Sequence, residues 1–305
     1  MVRHFLALSD FTANELRDSL ALASEIKDRL KRGERFEPLK GKVLAMIFQK
    51  PSSRTRASFE AGMFQLGGHA MHFAPDTIGF GVREPARDIA RILSRYSDGI
   101  VARLFGHADI EELARFSEVP VINGLTDFSH PCQIMADLLT ILEHRGSLEN
   151  LHIAFIGDGN NVANTWVDAA SLLPMQLTVA CPPGYEPDAD LTQRALATGV
   201  SRIVIGTDPL DAVRDADIVY TDTWTSMGQE RDRQQRLKAF QGYQVNTRLL
   251  AAAPEKALIM HCLPAHRGEE ITEEFLEGPR SIVFDEAENR LHAQKAILVK
   301  LLSCA

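Results

Sequence analysis

The sequence predicts an α/β fold of two domains, each built on a mainly parallel sheet with helices on both faces. Two observations support this prediction. The chain has 305 residues, about the length of two ordinary domains. Short apolar segments also alternate along it with longer segments of helical periodicity. Because the short segments are almost continuously apolar, we expect strands that are covered on both sides, as in parallel sheets.

The first half of the chain begins with the clearest helix signal. Thr12 and Glu15 form a capping-box pattern, so a helix should begin there and run to about residue 30, with Leu16 and Leu20 on its buried face. Further helices are predicted at 54–66 and 131–144, and strands at 43–48, 99–104 and 119–122.

The second half repeats the alternation. Its predicted strands are 152–156, 177–180, 202–205, 218–221 and 257–260, and a last strand at 282–284 precedes a helix from 287 to 302. We place the domain boundary near the helix at 131, which predicts domains 1–135 and 136–285. The final segment, 286–305, could return to the first domain.

Composition argues against nucleic acid and membranes as partners. The net charge is −8, and the charges of both signs are interspersed, whereas a duplex-binding protein normally shows a basic face. No apolar run approaches the length of a membrane span, and the short apolar stretch near the start is too short for a signal peptide. The 4 Cys form no CxxC pair and no zinc-ligand spacing, so we expect a soluble cytoplasmic protein without a metal site.

Unusual polar clusters follow four of the predicted strands. They are 51–56 after the strand 43–48, 130–133 after 119–122, 222–230 after 218–221, and 261–264 after 257–260. Ligands bind at the carboxyl ends of the strands in open α/β sheets, so we expect these clusters to contribute to one site.

The first cluster has the pattern of an anion site. Ser52, Ser53 and Thr55 place hydroxyls at a predicted helix start, where backbone amides also point outwards. Arg54 and Arg56 add bidentate phosphate donors. The alternative is an ordinary helix cap with solvated arginines.

Three further residues of the first half are candidates with structural alternatives. His130 and Gln133 lie one helical turn apart and could face one small polar group, although a capping His beside a polar helix residue has the same pattern. Arg103 ends an apolar strand, where a charge is costly unless it meets an anion or a carboxylate.

The candidates of the second half are also ambiguous by themselves. Asp222 begins a loop after a strand, where a surface acid is equally common. Cys262 lies beside His261, which allows a nucleophile pair, but neighbours on a strand end point in opposite directions. The segment from Gly157 to Val162 lacks the third glycine of a dinucleotide fingerprint, so a nicotinamide-dependent oxidoreductase is only an alternative.

Together these motifs resemble the ornithine carbamoyltransferases, from His4 nearly to the C-terminus. The signature shared by transcarbamoylases resembles Ser-Ser-Arg-Thr-Arg at 52–56 and His-Pro-Cys-Gln at 130–133. The ornithine-specific motifs resemble Asp-x-Trp-x-Ser-Met-Gly-Gln-Glu at 222–230 and His-Cys-Leu-Pro-Ala at 261–265, where aspartate carbamoyltransferases differ.

The resemblance implies an enzyme of arginine biosynthesis that transfers the carbamoyl group of carbamoyl phosphate to the side-chain amine of L-ornithine, giving L-citrulline and phosphate. The domain 1–135 would bind carbamoyl phosphate and the domain 136–285 ornithine. No metal or organic cofactor is required, and the family forms homotrimers or multiples of trimers. A carbamoyltransferase for an acylated ornithine or another diamine, or an inactive relative with a binding role, are the alternatives.

The resemblance also implies a role for each matching residue. The phosphate would be held by Ser52, Ser53, Arg54, Thr55, Arg103 and Arg290. The carbamoyl oxygen would be polarised by Thr55, Arg103 and His130, and the carbamoyl amide would be bound by Gln133 and the backbone of Leu263, beside Cys262. Ornithine would be bound by Asn161, Asp222, Ser226 and Met227. The catalytic residues would be Arg103, His130, Asp222 and Cys262, without a covalent intermediate on the cysteine.

Two positions depart from the family pattern. Ser53 replaces a Thr, which keeps the hydroxyl. The loop 76–84 lacks the Gln that the family often has near Gly79, and Arg83 could take its place. We therefore leave this loop out of the predicted site.

Overall fold

The structure, a computed structural model, describes residues 2–74 and 78–303. Within these ranges the strands form two sheets, of four and five strands, and every strand pairing in them is parallel. The predicted α/β class with two parallel sheets is therefore confirmed. No helix of the described ranges is long and apolar enough to cross a membrane.

The chain divides into two compact units, each containing one sheet. The first unit consists of Met1–Leu139 and Glu288–Ala305, and the second of Thr140–Ala287. Both divisions fall inside helices, the first within α5 (Pro131–Arg145) and the second within α12 (Val283–Leu302).

The first unit alternates helices and strands around its sheet, in which the strand order is β2-β1-β3-β4. Besides its parts of α5 and α12, its elements are α1 Ala13–Lys31, β1 Val43–Phe48, α2 Ser53–Gln65, β2 His69–Phe73, α3 Ala86–Leu93, β3 Gly99–Arg103, α4 His107–Phe116 and β4 Val121–Leu125. The capping box predicted for α1 is present, because the Thr12 side chain accepts from the Glu15 amide and Glu15 accepts from the Thr12 amide.

The second unit has the strand order β7-β6-β5-β8-β9. Its elements are β5 Leu151–Ile156, α6 Asn161–Leu172, β6 Met175–Ala180, α7 Ala189–Ala197, β7 Arg202–Gly206, α8 Pro209–Ala212, β8 Ile218–Thr221, α9 Arg233–Ala239, α10 Thr247–Leu250, β9 Leu258–His261 and α11 Glu273–Leu276. Every residue of β5 and β8 is buried, so both faces of this sheet are covered.

The four polar clusters follow strand ends as expected, two in each sheet. In the first unit they follow β1 and β4, which end at Phe48 and Leu125. In the second unit they follow β8 and β9, which are neighbours in the sheet with Thr221 paired to His261. Each sheet therefore carries functional candidates at its carboxyl edge.

The clearest differences from the prediction are at 282–284 and at β2. The predicted strand at 282–284 is wrong: Ser281 makes only an isolated bridge with Ile259, and α12 begins at Val283. The acidic first turn of α12, which includes Asp285 and Glu286, favours a helix start there. Conversely, β2 was not predicted, because its sequence, with a histidine at each side of Ala70 and Met71, is only partly buried at the edge of the sheet.

Candidate active site

The start of α2 presents hydroxyl groups from three residues. Ser52 caps the helix: its Oγ accepts from the Thr55 amide at 3.2 Å and donates to Thr55 Oγ1 at 3.1 Å. Ser53, the first residue of the helix, is exposed, whereas Thr55 is buried. The first amides of a helix have no acceptor within the helix, so this end can bind an anion.

Arg290, a buried residue of α12, connects parts of the first unit that are far apart in sequence. Its Nη1 donates to Gln133 Oε1 at 2.7 Å, and its Nη2 donates to Thr55 Oγ1 at 3.2 Å. Gln133 Nε2 in turn donates to Asp137 at 2.8 Å. The structure thus brings together Thr55, Gln133 and Arg290, as the predicted phosphate and carbamoyl site requires.

His130 lies within the influence of three arginines. Burial lowers its pKa well below the ordinary value. The positive charges of Arg290, Arg103 and Arg54 lower it further. The imidazole is therefore neutral at physiological pH and keeps one N–H that can donate. Three guanidinium groups beside a neutral donor form a strongly anion-attracting site.

Asp222 is the centre of a hydrogen-bonded cluster in the second unit. Its Oδ1 accepts from Cys262 Sγ at 3.0 Å and from the Thr223 amide at 2.7 Å. Its Oδ2 accepts from Asn160 Nδ2 at 2.7 Å. The carboxylate is buried but surrounded by donors, and it can attract a cationic group. The predicted pair Asp222 and Cys262 is therefore brought together.

The other predicted ornithine residues lie in segments next to this cluster in the sequence. Asn161 begins α6, directly after Asn160. The Ser226 amide donates to Gln229 Oε1 at 3.1 Å, and the Met227 side chain is 44% exposed. Ser226 and Met227 thus lie in the outer part of the loop that follows Asp222.

His261 and Cys262 have different partners, as expected for neighbours at a strand end. The His261 imidazole contacts Glu270 at 3.1 Å, while the cysteine contacts Asp222. The nucleophile-pair alternative therefore finds no support in the geometry. Cys262 instead lies beside the carboxylate.

Two residues of the second unit that lie near the site, Asp158 and Arg236, were not predicted, and Asn160 was considered only as one of two paired asparagines available to an amino-acid head group. Asn160 holds the Asp222 carboxylate, and the buried Arg236 donates to Asp158 and to the carbonyl of Trp224 in the loop after Asp222. These contacts link residues distant in sequence. A helix-capping asparagine and an arginine between a glutamine and a leucine carry no signal of these contacts in the sequence.

The glycine at 159 has a packing explanation. A Cβ on Gly159 would lie 2.3 Å from the backbone at Glu186 and Pro187, so the turn needs glycine to approach that segment. This close approach is to protein backbone, and the dinucleotide alternative is not needed to explain it.

Two groups of described side chains hold possible metal-ligand atoms within 4.8 Å of one another, Asp222 with His261 and Cys262, and His266 with Glu269 and Glu270. In the first group the cysteine and the histidine are engaged by protein partners.

The loop 76–84 falls partly outside the described residues, which omit Asp76 and Thr77. In its described part, Arg83 is exposed, and its amide donates to the Gly79 carbonyl at 2.8 Å.

Comparison with known families matches both halves of the chain. Residues 3–143 match the model described as aspartate/ornithine carbamoyltransferase, carbamoyl-P binding domain. Residues 149–301 match the model described as aspartate/ornithine carbamoyltransferase, Asp/Orn binding domain. The two matches cover most of both units.

Curated relatives and solved structures agree with this match. Ornithine carbamoyltransferase of Geobacter sulfurreducens is 53% identical over 302 residues, which cover 99% of this chain and 100% of the relative. The structure of ornithine carbamoyltransferase from Pyrococcus furiosus superposes with a TM-score of 0.94 at 47% identity, covering 98% of this chain and 97% of that one. The anabolic enzyme from Campylobacter jejuni superposes with a TM-score of 0.93 at 36% identity, covering 98% of this chain and 99% of that one. The chain therefore belongs to the ornithine carbamoyltransferase family.

Proposed function

We propose that this protein transfers the carbamoyl group of carbamoyl phosphate to the side-chain amine of L-ornithine, giving L-citrulline and phosphate. Two observations carry the proposal: in the first unit Arg290 donates to Thr55 at the start of α2 and to Gln133, and in the second unit the buried Asp222 carboxylate accepts from the Cys262 thiol. The first arrangement suits a phosphorylated anion, and the second suits a diamine. The proposed carbamoyl phosphate domain is 1–135, and the proposed ornithine domain is 136–285. The segment 286–305, which contains Arg290, returns to the first domain.

The phosphate is bound by the start of α2 and by arginines. In this assignment the residues are Ser52, Ser53, Arg54, Thr55, Arg103 and Arg290. The match of residues 3–143 to a carbamoyl-P binding domain supports it. Charge grows on the phosphate as it leaves, so arginines held in place before the reaction stabilise the transition state more than the ground state.

The carbamoyl group is polarised by Thr55, Arg103 and His130. A neutral His130 donates its N–H to the carbonyl oxygen, which becomes more negative as the amine attacks. The carbamoyl amide is bound by Gln133 and by the backbone of Leu263, next to Cys262. Gln133 Oε1 already accepts from Arg290 at 2.7 Å, and a carbonyl oxygen has a second lone pair for a substrate N–H.

Ornithine is bound by Asn161, Asp222, Ser226 and Met227. The Asp222 carboxylate attracts an ornithine ammonium. The Cys262 thiol lies 3.0 Å from this carboxylate. The side-chain ammonium first loses one proton to water, because only the neutral amine has a lone pair. The amine nitrogen then forms the new bond to the carbamoyl carbon, and the bond from that carbon to the phosphate oxygen breaks with its electron pair. The proton of the attacking nitrogen leaves to Asp222, directly or through Cys262. This chemistry needs no metal or organic cofactor.

The test is formation of phosphate and of the carbamoylated amine from carbamoyl phosphate with a panel of amines; with L-ornithine this product is citrulline. We expect L-ornithine to give the highest kcat/KM, and acetylated ornithine, putrescine and L-aspartate to react at least about a hundredfold more slowly, because a site built around polar contacts rejects analogues that leave them unpaired. Higher activity with an acylated ornithine or another diamine would replace the proposed acceptor. Binding of a nicotinamide cofactor in a titration would instead support an oxidoreductase.

The assembly and setting belong to the same proposal. We propose a homotrimer or a multiple of trimers, in the cytoplasm, acting in arginine biosynthesis. The 36% identity to an enzyme described as anabolic supports the biosynthetic direction. Light scattering should give a mass that is a multiple of three chains; a monomer or dimer would exclude the trimer.

A further inference from the structure

The turn after β9 holds a leucine in an unusual backbone conformation. Leu263 has a φ of 52°, in the left-handed region that branched and bulky residues rarely adopt. Such a conformation persists only where the surroundings hold it. Something outside the leucine must therefore keep this turn in place.

The side chain of His261 contacts this backbone. Its Nδ1 accepts from the Leu263 amide at 2.9 Å. A nitrogen that accepts a hydrogen bond carries no proton, so the neutral ring has its proton on Nε2. That Nε2 donates to Glu270 Oε1 at 3.1 Å.

The imidazole has little freedom to change these contacts. Both His261 and Glu270 have a side-chain exposure of 0%. The His261 amide donates to Glu286 Oε2 at 3.0 Å, and Glu286 Oε1 accepts from the Tyr220 hydroxyl at 3.2 Å. The backbone and the ring of His261 are thus fixed separately, by different carboxylates.

We infer that His261 is a positioning residue, oriented by Glu270, which sets the backbone at Leu263 and the adjacent Cys262 for the reaction. This inference rests on the proposed function, in which the Leu263 backbone binds the carbamoyl amide. His261 itself touches no substrate. Its effect on the reaction passes through the hydrogen bond that the Leu263 amide donates to Nδ1.

Two substitutions at His261 separate its two hydrogen bonds. In His261→Asn the side-chain oxygen can occupy the Nδ1 position and still accept from the Leu263 amide. In His261→Gln the amide nitrogen can occupy the Nε2 position and still donate to Glu270, but the acceptor for Leu263 is lost. Both variants lose the imidazole, so each serves as the matched control of the other.

The readouts are kcat, the KM for each substrate, and thermal unfolding. We expect His261→Gln to raise the KM for carbamoyl phosphate, or lower kcat, by about fivefold or more relative to His261→Asn. A change of this size is the effect expected from losing one neutral hydrogen bond. The KM for ornithine should change less. Equal kinetic effects in two folded variants, or effects that follow only the unfolding temperature, would overturn the inference.

A second measurement covers the case in which neither variant folds. The side-chain nitrogen spectrum of histidine-labelled parent protein should show His261 as the Nε2–H tautomer, with an Nδ1 that accepts from the Leu263 amide. A protonated Nδ1 would overturn the inference. Failure of the proposed function is distinguishable, because the parent protein would then form no citrulline.

Discussion

Arg54 and Arg56 lie two residues apart on α2 but have different surroundings. Arg56 donates to Glu60 at 2.8 Å, and its side chain is 51% exposed. Arg54 is half-buried, and its charge lowers the pKa of His130. The two arginines therefore offer a matched pair for testing the phosphate site.

Arg54→Ala should reduce kcat/KM for carbamoyl phosphate while the protein stays folded. A charge-assisted hydrogen bond contributes about 1.5–3 kcal/mol, which corresponds to roughly 10- to 150-fold. Arg56→Ala should change kcat/KM by no more than about threefold, because an exposed ion pair contributes little. Steady-state kinetics of both variants check the prediction, and a normal kcat/KM for Arg54→Ala would exclude this arginine from the phosphate site.

Asp222→Asn should mainly damage ornithine recognition. Loss of the negative charge should raise the KM for ornithine by about tenfold or more, because the ammonium loses its charged partner. The KM for carbamoyl phosphate should stay near the parental value. Asp211→Asn is the control, since that carboxylate lies in the same unit and is 75% exposed. A variant that loses carbamoyl phosphate affinity and keeps ornithine affinity would show that the two substrates are assigned to the wrong units.

Among the elements, α6 is capped by Asn160, a residue that also contacts Asp222. Asn160 Oδ1 accepts from the amides of Val162 and Ala163, which caps α6. The Nδ2 of the same side chain donates to Asp222. One residue thus begins a helix and orients the carboxylate.

Asn160→Ser should separate these two roles. Serine caps helices about as well as asparagine, so the unfolding temperature should remain near that of the parent. The contact with Asp222 is lost, so the KM for ornithine should rise by about fivefold. Asn246→Ala is the control: Asn246 caps α10, so its loss should lower stability by about 0.5–2 kcal/mol without changing the KM for ornithine. An unchanged KM in Asn160→Ser would remove Asn160 from the site.

Elements were predictable where both faces are buried. β8 was predicted at its observed bounds, because a buried parallel strand is a short apolar run between turn residues. β2 was missed because an edge strand need not be apolar. The segment 282–284 was predicted as a strand because Ile282 and Val283 favour strands locally. Tertiary packing and the acidic turn that follows override this preference, and a helix begins at Val283.

At the scale of the whole molecule, the chain's candidate residues were recognisable but their connections were not. The resemblance to the family, and not the residues alone, singled out Asp222 and Cys262, and in the structure Cys262 Sγ lies 3.0 Å from Asp222 Oδ1. The hydrogen bonds from Arg290 to Gln133 and from His261 to Glu270 depend on the fold. The first of them joins residues that are 157 positions apart. Sequence alone cannot choose such partners among many polar residues.

The reaction should depend on pH through the substrate amine. Its pKa in solution should be near that of lysine, about 10.4, so the reactive neutral form increases about tenfold per pH unit below that value. We expect kcat/KM for ornithine to rise across the neutral range. His130 does not produce this rise, because its lowered pKa keeps it neutral there. A flat pH profile of the parent protein, with chemistry rate-limiting, would contradict attack by the free amine.

Cys262→Ser should retain measurable activity with a shifted pH profile.

The most direct test of direct carbamoyl transfer follows carbon and phosphate together. The parent protein is given L-ornithine and carbamoyl phosphate labelled with ¹³C at the carbonyl, and products are followed by NMR and phosphate assay. The account predicts one labelled ureido carbon of citrulline for each phosphate released, with no label on Cys262. Phosphate release without citrulline, or a labelled thioester on Cys262 that forms and decays at the rate of turnover, would contradict it.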